Sequence, residues 1–122
     1  MITIKFRGYS DELKSFVYGF YQEVNVNVVV YSYIFWQGNT TPVRTDSVGQ
    51  FTGLHDKNCK EIYEGDINQF GYVIKYCKEK ALFGEYGTRN GIDYDILMSY
   101  PIDSKSQIIK GNIYENPELL TD

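Results

Sequence analysis

Four carboxylates and the only histidine of this 122-residue chain lie close together in one short segment. The segment covers residues 49–67 and has the sequence GQFTGLHDKNCKEIYEGDI. Its chemically versatile side chains are those of His55, Asp56, Glu61, Glu64 and Asp66. Carboxylate oxygens are the ligands that divalent cations such as Ca²⁺ and Mg²⁺ prefer, and a carboxylate or a histidine can also act in general acid–base catalysis. The residue types therefore permit a metal-dependent hydrolase that uses the four acids.

The spacing of the acids argues against a shared site. A calcium-binding EF-hand loop that began at Asp56 would need glycine at position 61 and a bidentate glutamate at position 67, where the chain has Glu61 and Ile67. In an extended strand, Glu61 and Glu64 point to opposite faces. No HExxH, GxSxG or Walker-type motif occurs in the sequence. We therefore predict no catalytic residue, no metal site and no cofactor, and we expect His55 to be an exposed turn residue.

The same segment contains a set of backbone signals. The Asp-Lys-Asn sequence at 56–58 favours a tight turn, and the residue that follows such a turn commonly needs a positive φ, usually from glycine. Cys59 occupies that position, where a side chain should cost about 1 kcal/mol. Gly53 is expected to end the preceding strand, and Gly65 to bend the chain before the next one. The expected core residues of the segment are Ile62 and Ile67.

The first 47 residues contain strand patterns and one ambiguous stretch. Alternation of apolar and polar residues over 2–7 predicts a strand that closes at Gly8. Residues 10–24 leave helix and strand open, because apolar residues recur at helical spacing while Gly19 and a run of aromatics weaken a helix. β-Branched and aromatic residues then predict one long extended segment from Val24 to Trp36. NTTPVRTDS at 39–47 predicts a loop.

Short strand patterns with turn signals between them follow to the end of the chain. They are VGQFTG at 48–53, EIYEGDI at 61–67, DYDILMSY at 93–100 and SQIIKGNIY at 106–114, with a turn at TRNGI. YVIKYCKEKALFGEYG at 72–87 is expected to form a strand and part of its return. Asn116 before Pro117 predicts the start of a short helical turn, since proline is tolerated at a first helical position. Short strands without a βαβ alternation favour a small barrel or sandwich.

Composition limits the function classes. Sixteen acidic and twelve basic residues give a net charge of −4, which opposes broad binding to nucleic acid through phosphate neutralisation. The N-terminus has no apolar signal-peptide core, and the apolar run at 28–36 is too short to span a bilayer, so we expect no membrane association. Cys59 and Cys77 have no CxxC spacing and are expected to be reduced thiols of a cytosolic protein.

Two blocks of the sequence resemble the paired signature of the YopX family, small proteins carried by bacteriophages and prophages. The first block, VGQFTGLHDKNCKEIYEGDI, differs from the usual family form chiefly at Cys59, where the family has glycine. The second block, IIKGNIYENPELL at 108–120, matches throughout residues 111–120. The opening IKFRGYSDELKSFVYG resembles the N-terminal segment of the family more loosely, and residues 21–47 and 78–106 carry little of the resemblance.

The resemblance implies a mainly β fold similar to the SH3-type small barrels. An N-terminal β-extension at 1–47 would pack on a barrel at 48–122, together as one compact unit with a short C-terminal helical turn. The ambiguous stretch would then be a hairpin, with a strand at 2–7, a turn at 10–14 and a return strand at 16–20. No biochemical activity is established for the family, so no catalytic residue carries over. The signature residues expected to shape the backbone are Gly49, Gly53, Asp56, Asn58, Cys59, Glu64, Gly65, Asp66, Gly111, Asn112, Asn116 and Pro117.

The leading functional hypothesis is a non-enzymatic phage or prophage accessory protein that binds a protein partner in the bacterial cytoplasm. Twelve Tyr and seven Phe are more than one small core readily hides, so part of them would meet a partner or a second copy, with a thin aromatic-rich core as the other interpretation. The alternative is a barrel that binds single-stranded nucleic acid by stacking bases on tyrosines. Its cations would be Lys75, Lys78, Lys80 and Arg89. The weaker alternative is the metal-dependent hydrolase.

Overall fold

The computed structural model describes residues 4–89, 92–95 and 104–120. Within them, strands dominate and the mainly β prediction is confirmed. The strands form two antiparallel sheets, neither of which closes into a barrel in this part of the chain. Contacts divide the chain into two compact units, Met1–Phe51 and Thr52–Asp122. The division at residue 47 that the resemblance implies stays a prediction.

The first unit is an antiparallel sheet with the order β4-β3-β2-β1-β5. Its strands are β1 (Phe6–Ser10), β2 (Ser15–Val26), β3 (Val29–Trp36), β4 (Asn39–Val43) and the beginning of β5 (Gly49–His55). The stretch that left helix and strand open is a hairpin, with its turn at 11–14 and Ser10 paired with Ser15. The expected end of the first strand at Gly8 is wrong, because β1 continues to Ser10. A Cβ on Gly8 would lie 2.6 Å from Cγ2 of Val43, so this glycine permits close approach of β4.

Two predictions for residues 24–47 are wrong. The long extended segment is divided by a two-residue turn, in which Asn27 has a φ of 58° and Val26 pairs with Val29. Asparagine is one of the few residues other than glycine that tolerate this conformation, so Asn27 can occupy the turn that the pairing of β2 with β3 sets. The predicted loop at 39–47 is largely β4, followed by a 3₁₀ turn at Thr45–Ser47. Pro42 is compatible with this strand because β4 lies at the edge of the sheet.

The second unit contains the rest of β5 beside β6, and a second sheet with the order β10-β9-β8-β7-β11. Its strands are β6 (Glu61–Tyr63), β7 (Asp66–Asn68), β8 (Val73–Cys77), β9 (Leu82–Arg89), β10 (Ile92–Asp95) and β11 (Ile109–Asn112). Single 3₁₀ turns lie at Ser104–Ser106 and Pro117–Leu119, and the second of them confirms the predicted C-terminal helical turn. The turn and strand predicted over 88–100 lie partly outside the described residues.

The core of the second unit lies between its two groups of strands. Ile62 of β6 packs with Ile74 of β8 and Ile109 of β11, and partly buried Leu54 and Phe83 pack against this cluster. Ile62 and Ile67 are both fully buried, so the two predicted core residues of the central segment are confirmed. Burial of apolar side chains contributes about 25 cal/mol per Å², so this cluster should stabilise the unit.

Candidate functional site

Asp56 closes the turn after β5 and connects it to β11. Its Oδ1 accepts hydrogen bonds from the backbone N–H groups of Asn58 and Lys60 at 2.8 and 2.9 Å, and its Oδ2 accepts one from Ile109 at 3.0 Å. The residue is only 6% exposed. Burial by itself raises the pKa of Asp56, but the three backbone donors and the charge of Lys60 outweigh it, and the pKa lies below its ordinary value.

The other three acids have separate partners. Asp66 is 1% exposed, and its Oδ2 accepts the N–H of Tyr63 at 2.7 Å across the β6–β7 turn. Glu61 accepts the hydroxyl of Tyr63 at 3.0 Å, and Glu64 accepts the N–H of Tyr76 at 3.4 Å. Within the described residues no three His, Cys, Asp or Glu side chains are grouped to hold a metal ion. The acids therefore hydrogen-bond to the protein's own groups, and His55 lies exposed at the end of β5.

The backbone angles of this segment match two of three expectations. Cys59 has a φ of 65°, as predicted for the residue after the turn, and its N–H donates to the carbonyl of Asp56 at 3.0 Å. Gly65 has a φ of 92° in the turn before β7. Gly53 also has a positive φ, 85°, but β5 continues through it to its last residue, so the expected strand end there is wrong. Both cysteines are free thiols.

The second signature block contains the end of β11 and the turn that follows it. The Oδ1 atom of Asn112 accepts the N–H groups of Tyr114 and Glu115 at 3.0 and 2.8 Å, and Oδ1 of Asn116 accepts the N–H of Asn112 at 3.2 Å. Asn116 is also the residue before the final 3₁₀ turn, which begins at Pro117, but its side chain bonds back to β11 and does not cap that turn. A Cβ on Gly111 would lie 2.5 Å from Oδ1 of Asn116, so a larger residue here would displace the side chain that accepts the N–H of Asn112.

The two signature blocks are neighbours in space. β7 pairs with β11, so that Asp66 lies opposite Asn112 and Ile67 opposite Gly111. The N–H of Ile113 donates to the carbonyl of Gly65 at 2.9 Å. Together with the bond from Ile109 to Asp56, these contacts join the blocks into one hydrogen-bonded arrangement. Of the remaining signature positions, Gly49 is paired with Arg7 in the first unit, and Asn58 is exposed in its turn.

An exposed apolar surface covers one side of the β2–β3 hairpin. Directly paired residues share a face of a sheet, and the pairs on this side include Phe20 with Phe35, Val24 with Tyr31 and Val26 with Val29. We define the hairpin face by its seven large apolar side chains, each 39–54% exposed: Tyr18, Phe20, Val24, Val26, Val29, Tyr31 and Phe35. No sequence motif marks the hairpin face, although valine and aromatic residues are frequent in the sequences of β2 and β3.

One comparison with known proteins agrees with the sequence blocks. The family model described as YopX protein matches residues 5–121. The chain belongs to the YopX family. Among solved structures, it is similar to protein EF1440 from Enterococcus faecalis, with 23% sequence identity, a TM-score of 0.45, and coverage of 99% of this chain and 100% of that one. A comparison with curated proteins found no match. The YopX family has no known enzymatic activity. Among the described residues, no helix has the length and apolar character to cross a membrane.

A buried polar network in this YopX chain was not predicted. The side chain of Asn68 donates to Oε1 of Gln107 at 3.0 Å, and the amide of Gln107 donates to the carboxylate of Glu85. Asn68 also accepts the N–H groups of Phe70 and Tyr72 at 3.0 and 3.1 Å. All three network side chains are at most 8% exposed. Asn68, Glu85 and Gln107 are far apart in the sequence, so no local pattern predicts that their side chains meet. Only the turn is indicated locally, by the Asn–Gly spacing at 68–71.

The position of Cys59 yields a prediction about stability in this YopX chain. Replacing Cys59 by glycine, the residue of the usual family form, should raise the free energy of unfolding by a few tenths to about 1 kcal/mol, because glycine has no Cβ to strain at a positive φ. Urea denaturation of Cys59→Gly and of the matched Cys77→Gly variant would measure it. Cys77 lies in strand β8, where glycine should be destabilising. A clear loss of stability in Cys59→Gly would contradict the prediction that the side chain of Cys59 strains the backbone at this positive φ.

Proposed function

We propose that this YopX chain is a non-enzymatic binding module that docks a protein partner on the hairpin face. The observation that carries the proposal is the exposure of seven large apolar side chains on one side of β2 and β3. With a full accessible area of about 150–250 Å² for an aromatic side chain and less for a valine, these exposures amount to roughly 500–600 Å². The largest apolar patch of a typical monomer covers about 300–600 Å², and each partner of a standard interface contributes ~800 Å².

The chemistry of the hairpin face suits a protein. Tyrosine and phenylalanine supply large contact areas at small entropic cost, and they are enriched at the centres of protein interfaces. β2 and β3 contain no lysine or arginine, and Arg7, which is paired with Tyr18, is only 6% exposed, so these two strands offer bases stacked on their aromatics no exposed cation for the phosphates. A partner with an apolar, weakly charged surface would match this face.

The architecture and setting of the module are also proposals. We infer that the second unit is an SH3-like roll, in which β7 to β10 follow one another as antiparallel neighbours and β11 returns beside β7 after a 3₁₀ turn. In such folds the frame is rigid and contact residues are added on its surface. The resemblance to phage and prophage proteins supports action in the cytoplasm of a bacterial host, on a partner encoded by phage or host.

A pair of matched variants tests the docking surface. Val26 lies on the hairpin face, whereas Val30 lies on the opposite side of the same hairpin, paired with Asn25; the two residues are 50% and 39% exposed. In tagged pull-downs from cells in which the prophage or phage is induced, Val26→Lys should lose proteins that both wild type and Val30→Lys retain. If Val26→Lys retains every protein that wild type retains, the hairpin face is not the docking surface.

One observation favours nucleic acid as a second candidate. Nζ of Lys75 lies 5.7 Å from the ring centre of Tyr86, and Tyr76 on the same strand is 43% exposed. Lys78 and Lys80 are exposed in the following turn, while the side chain of Arg89 is outside the described part of the structure. Single-strand binding by stacking beside such cations should be detectable with a labelled oligonucleotide at low salt and should weaken as salt increases. No shift at low salt would eliminate this candidate.

A further inference from the structure

We propose that a slot beside β4 binds a short extended peptide that contains a lysine or an arginine. The proposal is independent of the hairpin face, because it concerns the edge of β4 and the turn at 11–14. Two cavities, of about 330 and 260 Å³, lie between that turn and β4, and they adjoin because Glu12 and Pro42 line both. We call them together the slot, which is lined by Asp11, Glu12, Leu13 and residues 39–44.

The larger cavity follows the edge of β4 and not one of its faces. Successive side chains of a strand point to opposite faces of the sheet. This cavity is nevertheless lined by four consecutive residues, Asn39, Thr40, Thr41 and Pro42. β3 pairs with β4 along its whole length on one side, so the cavity lies along the other side. Open space is therefore present beside this edge, and all the residues that line it belong to the described part of the chain.

The alternation of antiparallel hydrogen bonds shows which backbone groups of β4 face the slot. The N–H of Arg44 donates to the carbonyl of Tyr9 at 3.0 Å, so the hydrogen-bonding groups of Arg44 point away from β3. Alternation gives the same direction to Pro42 and Thr40. The two-residue turn before β4 agrees, since the residue pair that flanks such a turn is the hydrogen-bonded kind. Thr40 therefore presents an N–H and a C=O to the slot, and Pro42, which has no N–H, presents a C=O.

An extended peptide is the ligand that matches these groups. A segment antiparallel to β4 would exchange two hydrogen bonds with Thr40 and donate one to the carbonyl of Pro42, which is the strand-addition mode of peptide recognition. The slot ends where Arg44 bonds to Tyr9, so it accommodates about four residues beside positions 39–42 at ~3.4 Å per residue. Main-chain bonds of this kind provide affinity, whereas side-chain contacts provide the selectivity.

Glu12 determines the charge of the peptide. It lines both cavities and has no hydrogen-bond or ion-pair partner among the described residues. Asp11, the other acid of the slot, already accepts Nε of Arg44 with both carboxylate oxygens, at 2.8 and 2.9 Å. Lys14 belongs to the same turn but lines neither cavity. The lining thus has one uncompensated negative charge, which attracts a lysine or arginine side chain and repels an acidic one.

A library of random hexapeptides, selected on the immobilised protein, tests the slot. Selected peptides should be enriched in lysine or arginine, and their dissociation constants should be at least about threefold higher for Glu12→Gln than for wild type. Glu79→Gln, at an exposed acid outside the slot, is the control and should bind them as wild type does. Peptides that Val26→Lys loses and Glu12→Gln retains bind the hairpin face and support the proposed function alone. If wild type selects no other peptides, or if the others lack basic residues, the proposal is overturned.

Substitutions at Thr40 test the main-chain bonds. Thr40→Pro removes the N–H that faces the slot without removing a hydrogen bond of the sheet, whereas Thr40→Val keeps that N–H. The selected basic peptides should bind Thr40→Val about as wild type does and Thr40→Pro at least about fivefold more weakly. Hydrogen exchange of wild type covers the case in which Thr40→Pro does not fold, since the amide of Thr40 should exchange more slowly with peptide bound. Equal binding to both variants, or unchanged exchange at Thr40, would overturn the proposal.

Discussion

Replacing Asp56 by alanine should lower the free energy of unfolding by about 3–4 kcal/mol. A hydrogen bond to a charged acceptor contributes about 1.5–3 kcal/mol, and a buried N–H without a partner costs about 1–3 kcal/mol. The variant would remove the acceptor of three backbone donors, one of them the N–H of Ile109, which lies 53 residues away in the chain and is itself buried. Urea denaturation followed by circular dichroism would measure the loss, and the amides of residues 57–60 should exchange faster with solvent.

Asp56→Asn keeps the shape of the side chain and removes its charge, so the pH dependence of its free energy of unfolding isolates the contribution of the charge. Because the folded pKa of Asp56 lies below the ordinary value of 3.8, ionised Asp56 contributes stability above that value, and the contribution is lost as the pH falls through the folded pKa. The stability difference between wild type and Asp56→Asn should therefore be largest near neutral pH and shrink below about pH 4. Asp46→Asn, at an exposed acid, is the control. If Asp56→Asn and Asp46→Asn lost the same free energy of unfolding, or if the loss in Asp56→Asn did not change with pH, the charge of Asp56 would not stabilise the fold.

Local rules predicted the central segment well because its structure depends on local chemistry. The turn at 56–58, the positive φ of Cys59 and the bend at Gly65 each follow from the conformational preferences of a few adjacent residues. The burial of Ile62 and Ile67 follows from their apolar character within short strands. Nothing distant in sequence is needed to specify these features, so they could be read from the sequence.

Features that depend on strand partners could not be predicted in the same way. β4 contains a proline, two threonines and an asparagine, and it is a strand because β3 lies beside it in a specific register. The turn at Asn27 interrupts a sequence that is uniformly suited to strands, and only the pairing of Val26 with Val29 reveals it. Strand propensity describes how well a residue fits a pleated surface, and it does not specify where a hairpin turns.

The relation between the two signature blocks explains why they occur together in one family form. Each block contains turn residues, which the sequence alone indicates. Their contact is a property of the fold, since Asp66 pairs with Asn112, and Ile109 donates to Asp56 across the unit. A change in one block would therefore disturb hydrogen bonds of the other. The resemblance identified the blocks, whereas the structure gives a physical reason for their pairing.

Replacing Ile62 by alanine should lower the free energy of unfolding by about 3 kcal/mol, since buried Ile→Ala substitutions cost about 2–5 kcal/mol through lost transfer free energy and the cavity left behind. Ile62 is fully buried between strands of both sheets in the second unit, where it contacts the cluster that contains Ile74 and Ile109. Ile62→Val removes a single methylene and should cost about 0.5–1.5 kcal/mol. Chemical denaturation of the two variants would give this graded series.

Ile113 is the matched control for this series because it is 40% exposed and follows β11 directly. Ile113→Ala removes the same atoms and should cost less than about 1 kcal/mol, since much of its apolar area already contacts water. Trp36, the single tryptophan, lies in the first unit, so its signal would not report on the second. Hydrogen exchange of the amides of residues 61–77 would show whether the stability is lost in the second unit. Equal losses in Ile62→Ala and Ile113→Ala would mean that the Ile62 cluster does not dominate the stability of that unit.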